Sequence, residues 1–265
     1  MNSRSNQYYT ASEAQAKLGL TKAKFHKMVR QGLIPKVVLP GMKRGVYPKR
    51  DINALFLSMS SDLNEFVFSR SSPADQLEEM KIGIKCFGRS FVPSLAERIS
   101  FQQKSEFTLH SLKVHGRIVG YISMFHFSQT FLDNLLTGLR IEREITLKEV
   151  LPFVRLEPFG VYIDVIAVDP DLPAHLRRLY AGIMIFRFID LLANLLANNY
   201  QITHLYTVTM TKDGERLVGK LGFQPMEGKS LVHSHIAYEY LLDQEGLQHL
   251  YTLQNAFRKR LQMSL

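Results

Sequence analysis

The chain of 265 residues contains one cysteine, Cys86, so no disulfide framework can form within a single copy. A lone thiol suits a reducing compartment. Long apolar runs are also missing. The most apolar stretch, Ala181 to Leu196, is interrupted by Arg187 and Asp190 and reads as too short to cross a bilayer. The opening MNSRSNQYYTASE has no apolar core of the kind a secretory signal needs. These absences lead to the expectation of a cytoplasmic protein with no membrane partner.

Acidic residues are scarce in one part of the chain only. Residues 1–57 hold eleven of the 33 lysines and arginines against two acids, Glu13 and Asp51. The remaining 22 bases and 22 acids balance over residues 58–265, so the formal charge of +9 belongs to the first fifth of the chain. Such asymmetry points to a nucleic-acid-binding module (1–57), a short polar linker (58–64, SMSSDLN) and a neutral domain (65–265).

Within the basic segment, Thr10 or Ser12 can cap a first helix through about Leu18, with Gly19 as its stop. Thr21 caps a second, in which Phe25, Met28 and Val29 form the apolar stripe, and Gly32 and Pro35 end it. Val37–Leu39 and Val46–Tyr47 flank Gly41-Met42-Lys43-Arg44-Gly45, a hairpin with a basic tip, and a third helix is expected over about Pro48–Leu57. The pieces YTASEAQAKLG, TKAKFHKMVRQGLIP and YPKRDINAL together resemble the winged helix-turn-helix of the MerR and excisionase type. That resemblance implies double-stranded DNA as partner, with the second helix in a major groove. Its expected contacts are Thr21, Lys22, Lys24, Lys27 and Arg30 from the second helix, and Lys43, Arg44, Tyr47, Lys49 and Arg50 from the hairpin and beyond. One module makes few contacts, so site-specific reading requires a homodimer or neighbouring copies.

The neutral domain alternates strands and helices. A strand at Phe66–Phe68 precedes a helix capped by Ser72-Pro73 and running to about Cys86. TLHSLKV and IVGYISMFHF form a hairpin, GVYIDVIAV a further strand, and 173–198 a long helix. THLYTVTM, a short helix ending in GKLGF, a strand near Ala237–Leu241 and a terminal helix over 243–263 complete the order. Residues 129–158 read as an insert without a clear assignment. This order, with VDP after the central strand and GERLVGKLGFQ near the end, resembles the GNAT acyltransferase fold over roughly residues 65–242. The expected fold class is thus α+β in two domains: a small winged helix-turn-helix, then a mixed α/β GNAT-like domain.

The GNAT resemblance implies acetyl- or another acyl-coenzyme A as cofactor and an amine as acceptor. In that family a glycine-rich loop, Arg/Gln-x-x-Gly-x-Gly/Ala, holds the pyrophosphate on backbone N–H groups at a helix start. Counting from Arg177 places Tyr180 and Gly182 at the glycine positions, and counting from Arg178 places Ala181 and Ile183 there. Neither register restores the first glycine, though both arginines suit an anion. Backbone N–H groups of Ile166 or Val168 are the implied oxyanion donors, and Asp164, the only carboxylate in its strand, is the candidate base. Asp164 is expected on the same face as Ile166 and Val168. The family's thiol-protonating tyrosine is replaced by Val218. Cys86 reads as core, and His233 with His235 as structural, so no metal is expected. The function expected from all this is a DNA-binding regulator whose second domain binds or senses acyl-coenzyme A or mediates dimerisation. The alternative is an active N-acyltransferase with a DNA-targeting module.

Overall fold

The computed structural model describes residues 7–18, 20–40, 44–60, 66–226 and 235–262. The N-terminal unit is built from α1 (Ala11–Lys17), α2 (Lys22–Arg30) and α3 (Lys49–Ser60). Thr10 and Glu13 close a reciprocal capping box on α1, and the Thr21 hydroxyl accepts from the Lys24 N–H at the start of α2. Ala14, Leu18, Phe25, Met28, Ile34 and Ile52 form a core of this unit's own.

Two short strands, β1 (Tyr8–Tyr9) and β2 (Tyr47–Pro48), pair antiparallel and tie the entry of the unit to its third helix. Two-residue strands carry no periodicity, so the pattern of residues could not announce them. Of the expected hairpin, a single bridge between Val37 and Val46 is present, and Gly41, Met42 and Lys43 lie outside the described residues, as does Gly19.

The larger unit centres on a mixed sheet with strand order β3-β4-β5-β7-β8-β10-β9. Its members are β3 (Phe66–Arg70), β4 (Leu109–Val114), β5 (Arg117–Phe127), β7 (Pro158–Val168), β8 (Gln201–Thr209), β9 (Gln224–Pro225) and β10 (Ile236–Leu241). All neighbours pair antiparallel except β7 and β8, which run parallel and are joined by α7 (Ala174–Ala197). The parallel step needs this long crossover, because a tight turn cannot reverse direction and still pair strands in parallel.

α7 lies on one face, where Leu176, Ile183, Met184, Ile189 and Leu192 pack on Val161 and Ile163 of β7. α4 (Pro73–Phe87), α5 (Leu95–Lys104) and α6 (Gln129–Thr137) cover the other face, against Tyr121, Phe125 and Tyr162. α8 (Lys212–Leu221) and α9 (Gln244–Gln262) follow, and α9 packs along α7.

Three expectations are corrected here. The 129–158 segment holds α6, a 3-10 turn at Glu142–Glu144 and β6 (Val150–Leu151), which pairs with β5. Its polar and apolar residues divide over three short elements, too short for any one period to dominate. Cys86 is exposed, with its Sγ 3.8 Å from the Val168 carbonyl. It sits in the last turn of α4, beside the end of β7. Finally, α7 is 24 residues long and apolar enough to span a bilayer by length and composition. Half of its most apolar window is buried in the sheet core, the pattern of a central core helix.

Candidate functional site

The site forms where the sheet opens. β7 and β8 pair from Pro158–Gln201 to Tyr162–Tyr206, with a one-residue slip between Phe159 and Gly160, and the ladder goes no further. The Thr207 hydroxyl of β8 still donates to the Ile163 carbonyl at 2.8 Å, and from Asp164 to Val168 no strand among the described residues pairs with that edge of β7. Across β7's other edge, the ladder to β5 slips by one residue between Met124–Ile163 and Ser123–Val165, leaving Asp164 as the extra residue of a β-bulge.

That bulge decides which way Asp164 points. Strict alternation would put it with Ile166 and Val168, but those two pack on the α7 side of the sheet. Asp164 instead faces α5, next to Val165, because the bulge breaks the period of two. The expectation of a shared face is thus overturned, while Ile166 and Val168 do lie on the unpaired stretch of β7.

Asp164 accepts a 2.6 Å hydrogen bond from the Ser123 hydroxyl on β5. Burial raises its carboxyl to about 7, partly offset by the Ser123 bond, while the nearby Glu142 charge raises it further and Arg98 lowers it. It borders a cavity of about 20 Å³. Beside that cavity lies a buried ion pair. Arg98 of α5 (4% exposed) donates to Glu79 of α4 (0% exposed) at 2.5 Å, and the Ser71 hydroxyl donates to the other Glu79 oxygen. Arg98 also lies 5.1 Å over the Tyr121 ring. None of this network is visible as a motif, since Ser71, Glu79, Arg98, Ser123 and Asp164 come from five separate elements or turns.

The long helix lies within a residue of the expected 173–198, but the positions counted as its glycine loop lie inside it. α7 begins at Ala174, directly after Pro173, which provides no side-chain cap. The first bond within the helix runs from the Arg177 N–H to the Pro173 carbonyl, so the N–H groups without helical partners are those of Ala174, His175 and Leu176. Tyr180, Ala181 and Gly182 fall in the second and third turns, where their N–H groups are spent on the helix.

Tyr180 is core, packed with Phe66. At Gly182 a Cβ would come within 2.3 Å of the Phe257 ring on α9, so this glycine serves helix packing. Arg177 and Arg178 are exposed in the first turn, free to meet an anion there. Val218 is buried in the main core.

Sequence reasoning passed over Asp169. It is buried, ion-paired with Lys85 (3.4 Å) and Arg117 (3.5 Å), and its carboxylate accepts from the Asp171 N–H. It shapes the turn into α7, and the VDP triplet was its only signal.

In the N-terminal unit, Thr21, Lys22, Lys27 and Arg30 are exposed on α2, with Lys24 partly so. Arg44 is exposed and Lys43 lies outside the described residues. Tyr47 is corrected: at 3% exposure it packs edge-on against Phe25, 5.1 Å between centroids, and is a core residue. Lys49 sits over the Tyr9 ring. Arg50 is exposed and lines a cleft of about 400 Å³ at the start of α7, together with Asp51, Asp171, Ala174 and His175. His235 is buried against the Leu135 carbonyl, His233 lies outside the described residues, and no metal-binding group occurs among the described residues.

No family model and no curated protein matches the sequence. Solved structures with a similar chain path include Ard1 from Thermoplasma volcanium, at 14% identity and TM-score 0.45 over 68% of this chain and 99% of that one. The loading GNATL domain of CurA from Lyngbya majuscula gives 12% and 0.47 over 69% and 98%. A GNAT-like decarboxylase, GphF, in complex with isobutyryl-CoA gives 15% and 0.46 over 67% and 100%. At TM-scores below 0.5 nothing about activity follows from these likenesses.

Proposed function

We propose that the chain is an acyl-coenzyme A-dependent N-acyltransferase with a DNA-docking N-terminal unit. The observation that carries this reading is Asp164, a carboxyl held near 7 on a bulge beside the opening between β7 and β8. A general base with a value close to the working pH combines a large ionised fraction with useful basicity, and such groups typically supply ~10²–10⁴ in rate.

The start of α7 offers donors to a pyrophosphate, in a cleft that Asp51 and Asp171 also line. Three N–H groups without helical partners, the positive end of a 24-residue helix and two exposed arginines make an anion-binding donor set without the glycine loop. Acyl-coenzyme A bound there supplies an activated thioester. The free edge of β7 offers backbone N–H groups, among Ile166 and Val168, to the developing oxyanion. Val218 leaves the thiolate without a tyrosine acid; a thiol with an ordinary value near 8.5 still leaves readily at neutral pH.

Thermal unfolding of the full chain with acetyl-coenzyme A tests the reading. Ligand at ~100 times its dissociation constant stabilises by about 2.7 kcal/mol. The Arg177→Ala, Arg178→Ala chain should lose most of that shift. No shift in the parent chain would sink the proposal.

For the N-terminal unit, the supporting observation is α2, where Lys22, Lys27 and Arg30 are exposed while Phe25 and Met28 are buried. We take double-stranded DNA as its partner and a homodimer as the bound state, with half-sites about one helical turn apart. Salt-insensitive binding, or none, in gel-shift titrations would remove this part.

A further inference from the structure

The cavity beside Asp164 carries information about the acceptor. Its walls are largely aromatic and aliphatic: Phe87, Phe91, Val92, Phe101, Tyr121 and Phe125. At about 20 Å³ it holds one group the size of a water molecule or an ammonium head. Phe101, Tyr121 and Phe125 are fully buried and form the interior, whereas Phe87 and Phe91 are 43% and 48% exposed. Gly88, at φ 87°, makes the turn that presents these two rings together, between the end of α4 and the 3-10 turn at Arg89–Phe91. An exposed pair of phenylalanines at the rim of a small, partly polar cavity is an apolar platform beside a polar hole.

The charges around the hole select further. Arg98 is the one cation lining it; Glu79 binds its Nη2 and balances its charge, while its buried Nε–H has no partner. Because the Arg98–Glu79 pair is neutral as a unit, a carboxylate or phosphate on the acceptor would meet no uncompensated positive charge. Asp164 is the lining carboxylate, and Glu142, held by the Tyr162 hydroxyl at 2.6 Å, adds negative potential from the neighbouring turn. The hole is therefore cation-attracting and its aromatic walls favour an ammonium. The rim is not acidic in the same way, since Arg89 is exposed on the turn that carries Phe91. A second positive charge on the acceptor would meet Arg89 and two phenyl rings.

We propose that the acceptor is a primary monoamine with an apolar, preferably aromatic, body. Its ammonium enters the hole beside Asp164, and its body rests on Phe87 and Phe91. This rests on the acyl-transfer reading above. The Asp164 carboxylate takes one proton from the ammonium, and the neutral nitrogen attacks the thioester carbon. The C–N bond forms as the C–S bond breaks. Of the two protons the nitrogen sheds in becoming an amide, one ends on the thiolate and the other passes to solvent.

The test uses the full chain with acetyl-coenzyme A and a panel of 2-phenylethylamine, spermidine, a lysine-containing peptide and glutamate. We expect kcat/KM for 2-phenylethylamine at least tenfold above each of the others. Phe91→Ala should raise KM for that amine about tenfold with kcat little changed, and Phe87→Ala should act in the same direction. Both side chains are half exposed, so neither change threatens folding, and Phe91→Leu should restore part of the affinity. Equal or better use of spermidine or glutamate overturns the proposal, as does an unchanged KM in both alanine variants.

Direct calorimetric titration of 2-phenylethylamine separates the two levels. Binding of the amine with no binding of acetyl-coenzyme A overturns the acyl-transfer reading alone. Turnover of another amine, with no binding of this one, overturns the acceptor assignment alone.

Discussion

Ser123 of β5 and Asp164 of β7 are joined by a 2.6 Å hydrogen bond across a ladder that has slipped by one residue beneath them. The slip turns Asp164 toward the α5 side, and the bond fixes one of its oxygens. The other is left for the cavity.

Asp164→Asn should therefore abolish transfer, with kcat falling by ~10²–10⁴, while coenzyme binding at the distant start of α7 persists. In the parent chain, kcat/KM should rise with pH and level off above about 7, following ionisation of this carboxyl. A flat profile between pH 6 and 8 would argue against Asp164 as the base. Ser123→Ala removes a bond that holds the value down, so the rise should move to higher pH.

The same group has a stability signature of known sign. Its folded value near 7 lies above the ordinary carboxyl value near 4, so the favourable contribution is complete below about 4. It is lost as pH climbs through the window from 4 to 7, at most about 1.4 kcal/mol per pH unit. Asp164→Asn has no such loss. Chemical denaturation at pH 4.5 and pH 8 should show the variant gaining on the parent chain at the higher pH.

Removing one partner of the Glu79–Arg98 pair should be costly. Arg98→Ala leaves a fully buried carboxylate without its cation, at a cost of about 3–5 kcal/mol. Replacing both residues by methionine should cost less than the single change, because no uncompensated charge remains. Urea midpoints of the two variants decide this.

Gly182 provides a test of helix packing. In an isolated helix, alanine in place of glycine gains up to about 1 kcal/mol. Here the added methyl meets the Phe257 ring. Gly182→Ala should give no stabilisation in the parent chain and should stabilise in a Phe257→Ala background, a coupling of about 0.5–3 kcal/mol in a thermal double-mutant cycle.

On the N-terminal unit, Lys22→Ala and Lys27→Ala should each weaken DNA binding uniformly across sequences. Each should also lower the salt slope by about 1. Arg50→Ala should leave both unchanged, because Arg50 lines the cleft at the start of α7 with Asp51 and Asp171.

Much of the architecture was legible because it rests on local chemistry. Thr10, Thr21 and Ser72 cap their helices through hydroxyls that accept from N–H groups three residues on, a relation contained within one turn. Outside the 129–158 insert, the main strands over 66–241, the long crossover and the charge division could likewise be read along the chain. Tyr180 and Gly182 show the limit: counting from an arginine cannot tell a loop from the second turn of a helix. With the helix starting at Ala174, as its periodicity predicts, both residues lie within it and their N–H groups are taken by helical bonds.

What the sequence determined by itself is therefore what neighbours in the chain can impose: caps, periods, the helix-forming segments and where the charge lies. The tertiary structure alone decided which way Asp164 faces, because a bulge is a relation between two strands forty residues apart. It alone brought Glu79, Arg98, Tyr121 and Ser123 around that carboxyl. It also turned Tyr47 from a candidate DNA contact into core, since only a neighbour such as Phe25 can withdraw a side chain from water.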